Sequence, residues 1–92
     1  MTSAVQQTSL DAFFGARDKI SLRQKMVYDS LLLGPKNDRM VAADTGLPIN
    51  QVTPRRGELV GMGVVVEDGR APCPFSGRET IFWRIETPWV NR

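Results

Sequence analysis

The apolar positions change period along this chain, and the change divides it. From Leu22 to Leu33 they recur at helical spacing, with Leu22, Met26, Val27 and Leu31 on one stripe and Arg23, Lys25 and Asp29 on the other side. Ser21 and Gln24 stand at the spacing of a capping box and Gly34-Pro35 follows, so a first helix is predicted from Leu22 to Leu33. Lys36-Asn37-Asp38 reads as the turn into a second helix capped by Asn37 or Asp38, with Met40, Val41 and Ala43 as core candidates. A third helix is capped either by Asn50 or by Thr53 with Pro54 in the first position. Because proline belongs in a first turn, its regular part is placed at Pro54 to Met62. The period then falls to two. Val64 to Glu67 is a β-branched run ending in Asp-Gly, and Thr80 to Ile85 alternates as a strand does, with Trp83 expected to close the core over the first helix. Asp68 to Glu79, holding two prolines, two glycines and two arginines, is too long for a tight hairpin turn and reads as a loop.

Within DRMVAADTGLPINQVTPRRGELVGM, Ala42, Gly46 and Val52 fall at the spacing A-x3-G-x5-V. Two short helices meeting steeply need a small residue at their closest approach, a residue tolerant of positive φ at the bend, and an apolar anchor on the second helix. The pattern resembles the helix-turn-helix of bacterial, archaeal and phage DNA-binding proteins. With the two strands and loop after it, the stretch from Ser21 to about Glu86 resembles small winged-helix proteins of phages and mobile elements. The resemblance implies an α+β fold, a winged helix-turn-helix of three helices plus a β-hairpin wing, with DNA as the partner.

On that reading Asn50, Gln51, Thr53, Arg55 and Arg56 cluster at the leading end of the third helix, where such proteins meet base edges and phosphates. Arg70 and Arg78 in the wing extend the basic surface toward the backbone or minor groove, or are solvated loop charges offset by Asp68 and Glu79. One departure from the pattern stands out: similar winged helices carry a bulky apolar residue where Arg56 stands. Either the helix is rotated or Arg56 snorkels from a half-buried site. Glu58 either pairs with a basic neighbour or faces solvent.

Residues 1–20 differ in composition, and MTSAVQQTS has no amphipathic period, so they read as a disordered tail. Within the tail, Leu10, Phe13 and Phe14 would share one face of a helical turn, three residues beyond Gln7. The segment Gln7 to Phe14, QTSLDAFF, resembles the Q-x-x-Φ-x-x-aromatic-aromatic peptide that binds PCNA-type sliding clamps. By that resemblance Leu10, Phe13 and Phe14 form a hydrophobic plug and Gln7 fills a polar pocket beside it. A bacterial ring clamp fits less well, since its pattern wants a large apolar residue at Ala12. The alternative is that these side chains pack back on the domain. Residues 87–92 read as a C-terminal tail, in which Trp89 is a lid on the core or an exposed contact.

Other features bound the function. The 92 residues allow one domain, 21–86, and its tails, and a net charge of +2 from 12 basic and 10 acidic residues makes nucleic-acid binding a matter of placement. Cys73 alone cannot form an intramolecular disulfide, and its position between two prolines reads as a packed or half-exposed thiol. With no histidine and no second cysteine, no metal site is expected; no catalytic constellation or cofactor motif is legible, and a non-enzymatic protein without cofactors is expected. No membrane span or signal peptide is apparent, which suggests a cytoplasmic or nucleoid protein, or one of the host cell if viral. No heptads force dimerisation, so monomer and homodimer both stand. Two functions remain. One is a module binding double-stranded DNA, a regulator or replication factor tethered to a clamp. The other is an interaction protein that binds the clamp and blocks or recruits a replication factor without a specific DNA site.

Overall fold

The computed structural model describes residues 20–86. Gln7, Leu10, Phe13, Phe14 and Trp89 lie outside the described residues. Three helices are followed by an antiparallel hairpin: α1 (Leu22–Leu32), α2 (Asp38–Thr45), α3 (Ile49–Gly61), β1 (Val65–Pro72) and β2 (Glu79–Ile85).

The capping box is present in both halves. The Ser21 hydroxyl accepts from the Gln24 N–H at 3.0 Å and the Gln24 amide oxygen accepts from the Ser21 N–H at 2.9 Å, satisfying two donors that a helix start leaves open. The helix stops one residue earlier than expected, with Leu33 as its C-cap. Its buried stripe is also rotated from the predicted one: Val27, Tyr28, Ser30 and Leu31 are buried, Met26 is only half-buried, and Leu22 is 73 % exposed. Asn37 rather than Asp38 caps α2, its Oδ1 accepting from the Met40 N–H at 2.8 Å. Of the core candidates on α2, Val41 is buried, Met40 is half-buried and Ala43 is exposed, while Ala42 packs against the core.

Gly46 ends α2 at φ +81°, opening the connection to α3, on which Val52 is fully buried. The start of α3 departs from expectation. It begins at Ile49 after Pro48, with Gln51 N–H on the Pro48 carbonyl at 2.8 Å, so neither Asn50 nor Thr53 is the cap and Pro54 lies inside the helix. Proline there removes the bond to the Asn50 carbonyl. Both residues are exposed, so water can take up the orphaned acceptor and the helix continues.

β1 also runs further than expected. Asp68-Gly69 is not a turn: Glu67 pairs with Trp83 and Gly69 with Phe82, which leaves Asp68 as the extra residue of a bulge, with Gly69 at φ +114°. Pairing continues to Pro72 opposite Glu79, so the loop shrinks to Cys73–Arg78 and Arg70 belongs to a strand. On the other edge of β2, Lys36 and Trp83 exchange backbone bonds of 3.0 and 2.8 Å, an isolated bridge that stitches the α1–α2 connection to the hairpin.

The core joins all of these elements. Val27, Tyr28 and Leu31 of α1 meet Val41 of α2, Val52 and Leu59 of α3, and Val64 and Val65 at the hairpin's root, with Ile20, Ala42, Leu47, Trp83 and Ile85 packed around them. Each fully buried aliphatic side chain contributes roughly 1.5–3 kcal/mol relative to exposure, which is how an 8-residue helix such as α2 is held in place.

Candidate nucleic-acid interface

The fold brings the start of α2, one face of α3 and the hairpin around a groove of about 490 Å³. Its floor is a polar cluster built on Asp38. Arg56 reaches back from α3 and grips that carboxylate with a fork, Nε to Oδ1 at 3.0 Å and Nη2 to Oδ2 at 2.8 Å, while the Thr53 hydroxyl donates to Oδ2 at 2.9 Å. The Arg56 guanidinium also stacks on the Trp83 ring. Both partners of this ion pair keep only 17 % side-chain exposure. Arg56 thus sits in a site mostly shielded from water, where its flat head covers the Trp83 ring.

Arg55 is committed elsewhere. Its Nε and Nη2 donate to the two oxygens of Glu58, each at 2.8 Å, and the Gln24 amide of α1 donates to the same carboxylate at 2.8 Å. The Arg55 bond, then the Gln24 bond, hold the Glu58 carboxyl below its ordinary range, and the bond to Glu58 raises the Arg55 guanidinium. Glu58 therefore pairs with a basic neighbour. Of the predicted contact residues on α3, Asn50 is exposed at the leading end, Gln51 is half-buried, and Thr53, Arg55 and Arg56 each bond a carboxylate of the protein.

On the hairpin, Arg70 and Arg78 are exposed and, among the described residues, carry no ion pair. Asp68 turns instead to Arg84 at 3.1 Å, and Glu79, at the groove, makes no ion pair among the described residues. A further basic residue, Arg39 in the first turn of α2, lines the same groove, is likewise exposed and makes no ion pair among the described residues. No motif spacing marks Arg39 in the sequence. Its signal was its place two residues after the Asn37 cap and two before the buried Val41, which turns it outward.

The hairpin tip is fixed to the start of α2 through Asn37. This side chain is buried and bonded on both sides: Oδ1 caps α2, and the amide donates to the Thr80 hydroxyl at 2.8 Å. Cys73 is packed, only 2 % exposed, so the half-exposed alternative does not hold. Burial pushes its thiol up, but hydrogen bonds from Asn37, from the backbone N–H groups of Phe75 and Ser76 and from the Ser76 hydroxyl outweigh this and bring it from 9.0 to about 7. The Cys73 N–H to Arg78 carbonyl bond of 2.7 Å and the Gly77 N–H to Cys73 carbonyl bond of 2.8 Å close the turn.

Among the described residues no group of histidine, cysteine, aspartate or glutamate could hold a metal ion, and no helix is long and apolar enough to cross a membrane. No protein-family model, curated protein or solved structure matches the chain.

Proposed function

We propose that this chain is a winged-helix module that binds double-stranded DNA, presenting the leading end of α3 and the hairpin as its wing. The order of helices, the Gly46 bend, the bridge from Lys36 to Trp83 and the terminal hairpin support the winged-helix reading. The observation that carries DNA binding is the division among the arginines. Arg55, Arg56 and Arg84 are held by carboxylates, whereas Arg39, Arg70 and Arg78 are exposed and make no ion pair among the described residues, on the groove and the turn beside it; Arg23, likewise exposed and unpaired there, is on α1 and does not line the groove. Such cations meet phosphates at little desolvation cost. Exposed Asn50, on the first turn of α3, is the side chain suited to a base edge, pairing with adenine. Gln7, Leu10, Phe13 and Phe14 tether this module to a PCNA-type clamp, which would make it a replication-associated factor of a phage, virus or mobile element.

The test is the salt dependence of duplex binding. Three phosphate contacts give log K against log salt a slope of about −3, from roughly −0.9 per contact. Replacing Arg39, Arg70 and Arg78 with alanine should flatten it. Weak, salt-insensitive binding by the native chain would overturn the reading. The neutralisation of Arg55 and Arg56 by Glu58 and Asp38 favours the second reading, an interaction protein with no specific DNA site. That reading expects clamp binding, lost on Phe13→Ala with Phe14→Ala, beside a flat salt response.

A further inference from the structure

The hairpin tip carries an exposed aromatic that the phosphate contacts leave without a role. Phe75 is 57 % exposed and stands across a recess of about 340 Å³ from the α2–α3 corner, where Ala42, Ala43, Leu47 and the exposed Ile49 form an apolar wall. Arg39 lines the same recess, and Arg78 closes the turn that bears Phe75. The side chain is therefore apolar and exposed, beside Arg39, which like Arg78 makes no ion pair among the described residues.

It is also held stiffly. The turn that bears it is closed by the Cys73 N–H to Arg78 carbonyl bond of 2.7 Å and the Gly77 N–H to Cys73 carbonyl bond of 2.8 Å, and it is rooted in the buried Cys73. Pro74 fixes the backbone before it, and Gly77 at φ +76° lets the turn close after it. Opening a base step is costly, so a side chain that does so must not yield first, and ordering it on binding would add to the cost. A rigid phenylalanine flanked by arginines meets both conditions: the cations hold the backbone while the ring takes the place of a stacked base.

From this arrangement we infer that Phe75 is a wedge that enters the DNA from the minor-groove side, parts a base step and bends the duplex. The inference rests on the DNA-binding reading above. It goes further in giving the hairpin tip a deforming contact and in expecting selection for flexible pyrimidine–purine steps at positions no side chain reads by hydrogen bonds.

The experiment measures the end-to-end distance of a dye-labelled duplex, and the fluorescence of a 2-aminopurine placed at a central TA step, with the native chain, Phe75→Ala and Phe75→Leu. The native chain should bend the duplex by at least about 20° and brighten the 2-aminopurine as it unstacks. Phe75→Ala should abolish both signals and weaken binding about tenfold, while the salt slope set by the arginines persists. Phe75→Leu, still an apolar wedge, should keep most of the bend. A straight duplex with the native chain, or a bend unchanged in Phe75→Ala, overturns the wedge and leaves salt-dependent binding standing. Loss of salt-dependent binding in the native chain overturns both readings. The native-chain signals need no variant, so the test does not depend on how Phe75→Ala folds.

Discussion

The guanidinium of Arg56 lies 4.1 Å over the ring centre of Trp83, with the Asp38 carboxylate along its edge. Three elements meet in that stack: α3 supplies the cation, β2 the ring and α2 the anion. The pair is mostly shielded from water, so removing one member leaves the other poorly compensated. Arg56→Ala should cost about 2 kcal/mol in urea unfolding, and a double-mutant cycle with Asp38→Ala should show a coupling above ~1 kcal/mol. Arg56→Met should recover over half of that loss by covering Trp83 again, with Asp38 left to Thr53.

The interior proline of α3 has the opposite sign. Pro54 withholds one helix bond, and at this exposed site its removal creates no cavity. Pro54→Ala should stabilise the fold by about 1–2 kcal/mol, less than the full interior-proline penalty because the unfolded chain regains freedom. A raised unfolding midpoint, with greater helix content by circular dichroism, is the expected readout.

Cys73 links stability to pH. Its folded value of about 7 is below the ordinary 9.0, so the folded state releases the thiol proton first. The resulting stabilisation is full above the unfolded value and is lost as pH falls through the folded one. Between about pH 7 and 9 the native chain should therefore gain stability with rising pH relative to Cys73→Ser. Thiolate absorbance should titrate near 7 in the native chain and move toward the ordinary range in Asn37→Ala, which removes one donor to the sulfur.

Glu58 holds back a cation that the DNA reading could use. Glu58→Gln should free Arg55, steepening the salt slope of duplex binding by roughly 0.9 and tightening it at low salt. The same change removes a carboxyl held below its ordinary range by Arg55 and Gln24. The stability that the native chain loses as pH falls through that depressed value should accordingly be smaller in the variant.

Most of the fold was legible because local chemistry fixed it. Ser21 with Gln24 marked the start of α1, Gly46 the bend, and Val52 the anchor. The misplacements have a common cause, in that the local signal was sound but tertiary context outweighed it. Pro54 argues for a first turn, yet buried Val52 and Leu59 hold the helix through it. Asp68-Gly69 argues for a turn, yet the strands on either side pair and turn it into a bulge. At the candidate interface the composition of α3 named its arginines but could not show their partners. Asp38 lies 18 residues before Arg56, and no spacing rule links two helices across a bend. Arg39 was overlooked for the same reason, since its value comes from a groove that exists only once the hairpin is docked.

The Lys36–Trp83 bridge has a consequence for the order of assembly. The hairpin can form from near neighbours alone, but its second strand finds its outer partner only when a residue 47 positions earlier has been delivered by α1 and α2. Closing so long a loop is slow compared with making a turn, so docking of the hairpin on the helices is expected to be the late, rate-limiting event of folding. Mutations along this seam should then slow refolding more than they speed unfolding, which a chevron of each variant checks.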